Sequence, residues 1–389
     1  MRRRGSTPGP TRPEQEGRSR SGSESMVGAP KPGRVAALRA AIKTAHEDVF
    51  LQDRQVERRQ ELSDMTRRAK SGSGIQGHEM DLAGYMMRLS SDKRATGGAD
   101  LDNLRDAHRT VVETRQKLSS GRGNVTTDIQ KSGHKSSRLM VIGRDIGAHL
   151  RDKEGADPFA SGAASAEFVR AGNCQEHGDV STHSHATRLR SGQRIDTVSW
   201  TKGDHVWSEL QTGSQRGGRD VILDAWAEGP AVFRDDAYFA RKPSHSKSQY
   251  GYDTVSGPEA AAKLSQIKEH LRQDPKYRAF GRKRLSEMKK TKFKLHDDST
   301  FLPTSVLDHD FVKRSDRVMD KTAKLGLERW KRPTGVTRAD MARPVDTLQR
   351  VDLRNQIRAV GVARSLGENI AGAVQKAPDI VRAAKALKD

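Results

Sequence analysis

The sequence predicts an α+β protein, with a small centre of helix and strands between largely helical N- and C-terminal regions and behind a disordered leader. Three observations lead there. Amphipathic periodicity of helical type runs through residues 34–155 and returns after 257. Alternating apolar runs of strand type, with Trp200, Trp207 and Trp226, three of the four tryptophans, are confined to 195–240. The first 33 residues carry Arg, Ser, Gly and Pro and almost nothing apolar. A net charge of +21 and a mean hydropathy of −0.82 mean that the 389 residues cannot all contribute to a packed core, so one compact centre is expected.

Residues 1–33 cannot offset the entropy of ordering and read as a disordered leader. They hold no apolar signal-peptide core, and Arg2 stands where N-myristoylation needs glycine. A flexible, Ser-rich leader resembles a type III secretion signal, and its basic start also resembles a transit peptide. From 34 to 155 narrow apolar stripes recur: Leu38, Ile42, Ala45 and Val49; Leu82, Tyr85 and Leu89; Leu104, Ala107, Val111 and Leu118; Leu139, Ile142, Ile146 and Leu150. Loops are expected near 70–76 and across 119–136.

The segment 156–242 reads as the chemical core. Cys174 is the only cysteine, which rules out a disulfide or a cysteine-only metal site within the chain. Asn173 before it is a good N-cap, so the thiol falls in the first turn of a helix, where free N–H groups and the helix dipole favour a negative sulfur or a substrate oxyanion. Downstream, His205, Trp207 and Glu209 share one strand face, and Ile222, Asp224 and Trp226 another. The turn-rich 212–218 joins the two strands as a hairpin, centred so that 205 faces 224 and 207 faces 222. A thiol, an imidazole and a carboxylate are the parts of a nucleophile, a base and an orienting acid. Trp207 and Trp226 would shield such a site from water.

Gly172-Asn173-Cys174 leading a helix, then His205-Val206-Trp207-Ser208-Glu209, then a strand ending Asp224-Ala225-Trp226, resembles the core of the transglutaminase-like branch of papain-fold cysteine enzymes. More loosely, it resembles bacterial type III effectors of the AvrPphE type. The resemblance covers roughly residues 165–240. It implies a thiol helix packed on antiparallel strands, with Cys174 as nucleophile, His205 as base and Asp224 as orienter. It also implies acyl transfer at an amide of a host protein (Gln deamidation, transamidation or proteolysis), with no cofactor. Residues 178–185 are polar where the family's helix is aliphatic, and Gly178 costs about 0.5–1 kcal/mol of helix stability relative to alanine.

Cys174, His177, His183 and His185 offer an alternative metal site, although their spacing fits no common zinc pattern; otherwise His177 reads as a surface residue and His183 and His185 as solvated. After a linker at 243–257, the basic C-terminal region 258–389 begins with a helix through Leu264, Ile267 and Leu271. The lysines and arginines of 276–294, interleaved with Tyr277, Phe280 and Phe293, permit contact with nucleic acid or anionic lipid. Further stripes follow at Leu353, Ile357 and Val360 and at Ala363, Leu366, Ile370 and Val374, with Pro378 expected to end the helix. No apolar run is long enough to span a bilayer. Two readings stand: a secreted effector enzyme acting in the host cell on a host protein, escorted by a secretion chaperone before export, and a basic binding or scaffold protein, including a pseudoenzyme.

Overall fold

The computed structural model describes residues 74–213, 219–330 and 343–388; the leader at 1–33, the stripe from Leu38 to Val49 and the centre of the 212–218 connector lie outside them. The architecture is α+β, with one five-stranded antiparallel sheet among helices. Among the described residues six helices precede the sheet: α1 (Met80–Ser91), α2 (Gly98–Lys117), α3 (Thr126–Lys131), α4 (Lys135–Glu154), α5 (Pro158–Val169) and α6 (Cys174–Ala186). The strands are β1 (Arg194–Trp200), β2 (Val206–Gln211), β3 (Val221–Leu223), β4 (Val232–Phe233) and β5 (Ser246–Asp253), in the order β4-β3-β2-β1-β5. Then come α7 (Ser256–Gln273), α8 (Pro275–Lys290), α9 (His309–Trp330), α10 (Arg343–Ser365) and α11 (Ile370–Ala386).

Apolar residues gather in two clusters. The larger joins the sheet to α1, α2 and the C-terminal helices, with Leu82, Tyr85, Leu104, Trp207, Phe311 and Ile380 among its members. The smaller lies between α4, α5, α7 and α8, around Leu139, Ile142, Ile146, Leu264, Tyr277 and Leu285. Helix α6 runs between the two: Cys174 and Ala186 belong to the first cluster and Val180 to the second. That position explains its composition. Eleven of its thirteen residues are buried, and its polar groups bond inward. Thr182 Oγ1 lies 2.7 Å from Thr197 Oγ1 and 2.8 Å from Ser208 Oγ, and Ser208 donates to the Gly178 carbonyl. Gly178 is there because β2 passes so close: a Cβ at this position would stand 3.1 Å from Val206 Cγ1.

Several expectations are corrected. The linker expected at 243–257 contains β5, which pairs along the whole of β1. The β2–β3 register is Ser208↔Leu223 and Glu209↔Ile222, two residues away from the expected one, and β3 ends at Leu223. A shift of two keeps every side chain on its face, so 205 and 224 remain on one side. The loop at 119–136 contains α3. Pro378 does not end its helix but lies inside α11. The carbonyl its ring leaves without a donor belongs to Val374, which is 57 % exposed and open to water. In α10 the inward stripe is Val351, Asn355, Ala359 and Val362, while Leu353 and Ile357 face out. Ala363 and Leu366 close that stripe, and Asn369 caps a new helix, so Ile370 and Val374 belong to another element and are exposed.

Candidate active site

Cys174 is the first residue of α6, behind a complete capping box. Asn173 Oδ1 accepts from Gln175 N at 2.9 Å and from the Glu176 backbone, and Asn173 N donates to Glu176 Oε2 at 2.7 Å. His177 N is taken by the Asn173 carbonyl. Among the described residues this leaves the Cys174 N–H as the first-turn donor still able to meet an oxyanion, fewer than the sequence led us to expect. Asn173 is therefore the cap that fixes the thiol's place, and its side chain is spoken for.

His205 stands one residue ahead of β2, with its carbonyl accepting from Trp200 N across the β1–β2 turn. Its Nε2 meets Asp224 Oδ2 at 2.6 Å, with both side chains almost fully buried. Asp224 stands one residue beyond β3, and its Oδ1 accepts from Trp226 N at 3.1 Å and Ala227 N at 3.0 Å, an Asx turn that fixes the carboxylate. Burial works against the charge on Asp224, but His205 and the Ala227 N–H prevail and hold the carboxyl below its ordinary range. An ionised carboxylate on Nε2 requires the N–H there, so a neutral imidazole keeps its lone pair on Nδ1. Nδ1 is buried and has no hydrogen-bond partner among the described residues.

Both tryptophans border the imidazole. The His205 ring lies 5.8 Å from Trp207 and 5.0 Å from Trp226, centroid to centroid. Phe239, which no motif in the sequence singles out, is nearer still at 4.0 Å. Trp226 is in the loop after β3, held by its Nε1–H on Asn124 Oδ1 at 2.9 Å. That loop is clamped by two arginines. Arg115 donates to the carbonyls of Ala225, Ala227 and Gly229, and Arg122 to that of Trp226. Nothing in the sequence signals these clamps, because they arise about a hundred residues upstream of the turn they hold.

The sulfur sits against the start of β2 and accepts the Val206 N–H, so thiol and imidazole flank one peptide unit. No hydrogen bond joins the sulfur to Nδ1. The thiol is 2 % exposed, and burial, with Asp204, Glu176 and Asp224 nearby, pushes it up to about 12. Relative to an ordinary cysteine this amounts to about 4 kcal/mol against the thiolate. A helix N-terminus returns about 2 kcal/mol at most. Burial wins, and the resting thiol is protonated.

The remaining histidines of α6 are corrected from surface to interior. His177, His183 and His185 are all buried. His177 Nδ1 and His183 Nδ1 donate to the carbonyls of Asn173 and Asp179, and His185 Nδ1 meets Thr110 Oγ1 at 2.9 Å. Among the described residues no group of three or more His, Cys, Asp or Glu is placed to hold a metal ion. In the basic segment 276–294, Tyr277 is buried in the second cluster and Phe293 packs against it, leaving Phe280 as the one exposed ring of the three. Lys276 is engaged by Glu154 and Asp274, and Arg284 by Asp145. Among the described residues no helix is long and apolar enough to cross a membrane.

Taken together, fold and site define an α+β protein with a buried Asp–His pair beside a capped helix that begins with a thiol. Compared with known proteins, the chain matches no family model, no curated protein and no solved structure.

Proposed function

We propose that the chain is a cysteine acyl-transfer enzyme on the transglutaminase-like plan, with Cys174 as nucleophile, His205 as base and Asp224 as orienter. One observation carries the reading. Asp224 holds His205 by Nε2 at 2.6 Å and leaves a buried, unpartnered Nδ1 beside the peptide unit that contacts the sulfur. A buried ring nitrogen without a partner is costly, and a catalytic role is a reason for a fold to keep one.

With the thiol protonated at rest, the proton moves as the attack occurs. The Cys174 S–H proton passes to Nδ1 while sulfur adds to the carbonyl carbon of a Gln side-chain amide, and the C=O π pair moves to oxygen. Collapse breaks the C–N bond, and the nitrogen leaves as ammonia with the proton from the imidazolium. Water or an amine then adds to the thioester, giving its proton to Nδ1, and the sulfur departs and takes that proton back. Water yields Glu and an amine yields a substituted amide; a backbone amide in place of Gln makes the same sequence proteolysis. A host protein as substrate, delivered by type III secretion, accords with the leader's composition.

Alkylation of Cys174 by iodoacetamide across pH 6–10, on wild type and His205→Ala, tests the pairing. The expected result is labelling below pH 8 faster than the thiol's own ionisation allows, an excess that disappears in His205→Ala. A rate that only tracks hydroxide, tenfold per pH unit, and ignores the histidine would overturn it.

A further inference from the structure

On the far side of the thiol helix, between α4, α5 and α6, lies a cavity of about 350 Å³. That is large enough for a small ligand. Its long walls are small or apolar, with Gly143, Gly147 and Ala148 from α4 and Gly162 and Ala166 from α5. Asp179, 5 % exposed, is among its lining residues. Asp179 Oδ1 accepts from Tyr250 Oη at 2.8 Å and from Gln175 Nε2 at 2.9 Å. Oδ2 has no hydrogen-bond partner among the described residues.

Two further observations say what is missing. Gly162 lies inside α5, where glycine costs about 1 kcal/mol relative to alanine. A Cβ there would meet nothing within 4 Å except Asp179 Oδ2, at 3.3 Å. Helix packing does not need this glycine; its absent side chain keeps the carboxyl oxygen open. The second is charge. The cations at the rim are already matched: Arg144 Nε lies 2.7 Å from Glu176 Oε1, and Arg151 Nε 2.7 Å from Asp152 Oδ1. Among the lining residues Asp179 is the acid left without a cation.

We propose that this cavity binds a small primary ammonium ion, its nitrogen on Asp179 Oδ2 and its alkyl body along the small residues of α4 and α5. The site is separate from the thiol chemistry and does not depend on it. Burial pushes the Asp179 carboxyl up to about 7. The titratable groups around it are Glu176 and His183 on its own helix, Tyr250 and Tyr252 of β5, and Arg144 and Arg151 of α4. α5 contributes no titratable group to the lining. His183 is held neutral by burial, and Tyr250 and Tyr252 are pushed further from ionising. Asp179 is thus the group that changes charge near neutrality, and ammonium binding releases its proton at lower pH.

Calorimetric titration of the full chain at pH 8 with n-butylammonium chloride, n-butanol and sodium butyrate tests the site. Saturable binding of n-butylammonium is expected, with n-butanol at least tenfold weaker and butyrate not bound. The affinity should fall about tenfold per pH unit once the pH is below 7. Asp179→Asn should weaken binding at least tenfold, and Gly162→Val should do the same by closing the approach. Cys174→Ala should bind like wild type, which separates this result from the fate of the enzymatic reading. Melting curves of each variant establish that it is folded. Equal binding of n-butanol, no saturable binding, or full affinity in folded Asp179→Asn or Gly162→Val would overturn the proposal.

Discussion

Asp224 uses its two oxygens for different tasks, and substitution can separate them. Oδ1 closes the turn onto Trp226 N and Ala227 N, and Oδ2 takes the His205 Nε2–H. Asparagine can keep the turn with its carbonyl but then points an N–H₂ at Nε2, which forces the proton onto Nδ1 and removes the base. Asp224→Asn is therefore expected to lower any acyl-transfer rate by about 10³–10⁴, with a melting point close to wild type. Asp224→Ala loses both the turn and the partner of a buried imidazole and should cost about 3–5 kcal/mol, read by urea denaturation. The sign with pH is fixed by the depressed carboxyl. The stability Asp224 contributes is complete above the unfolded-state value near 3.8 and is lost as pH falls through the lower folded-state value. A folded Asp224→Asn with unchanged turnover would remove Asp224 from the site.

At the scale of elements, legibility depended on whether the local pattern and the tertiary demand agreed. The His205–Asp224 pairing could be read from alternation because strand faces repeat every two residues, and the register error was itself two. The stripes of α2 and α4 were legible because those helices bury one face, while α1 is buried on all sides from Leu82 to Leu89 and its stripe is only part of what packs. Helix α6 misled because it packs on both sides: its histidines and Thr182 look polar and solvated, yet find partners inside. β5 was hidden by Ser, Gly and Tyr, which suggest a linker, although Tyr250 and Tyr252 reach α6 through Asp179 and His183. Gly251 is the residue that lets β5 approach β1. A Cβ there would lie 1.7 Å from Asp196 Oδ1 and 2.6 Å from the Ile195 carbonyl, and the latter is backbone that cannot swing aside. Gly251→Ala is thus expected to destabilise by about 3 kcal/mol or more, at the upper end of overpacking costs, and to open the β1–β5 ladder to amide exchange. A melting point within a degree of wild type would show that β5 is not held in this register.

Across the whole molecule, buried titratable groups set an unusual pH profile. His108, His177 and His185 are held neutral by burial, at about 3, 4 and 3, and His183 is shifted the same way. The unfolded chain takes up these protons first, so each histidine adds about 1.4 kcal/mol of stability per pH unit gained, from its folded-state value up to about 6.5. Two acids pull the other way. Burial raises Asp179 and Glu209, the latter against Arg234, to about 7. Each therefore loses a similar amount per unit as pH climbs from about 4 to 7. Between pH 4.5 and 6.5 the histidines outnumber the acids, leaving a net gain of about 1–3 kcal/mol per unit. Above 6.5 the histidine contribution is complete while the acids continue to cost. Stability should accordingly peak near pH 6.5, fall slightly toward 7 and then level off, despite a sequence pI of 10.2. Urea midpoints measured from pH 4.5 to 8 check this. A steady decline from 4.5 upward would mean that the histidines of α6 are not buried neutral, and the packing of the thiol helix between two cores would fall with them; a peak at or above pH 8 would mean that Asp179 and Glu209 are not raised.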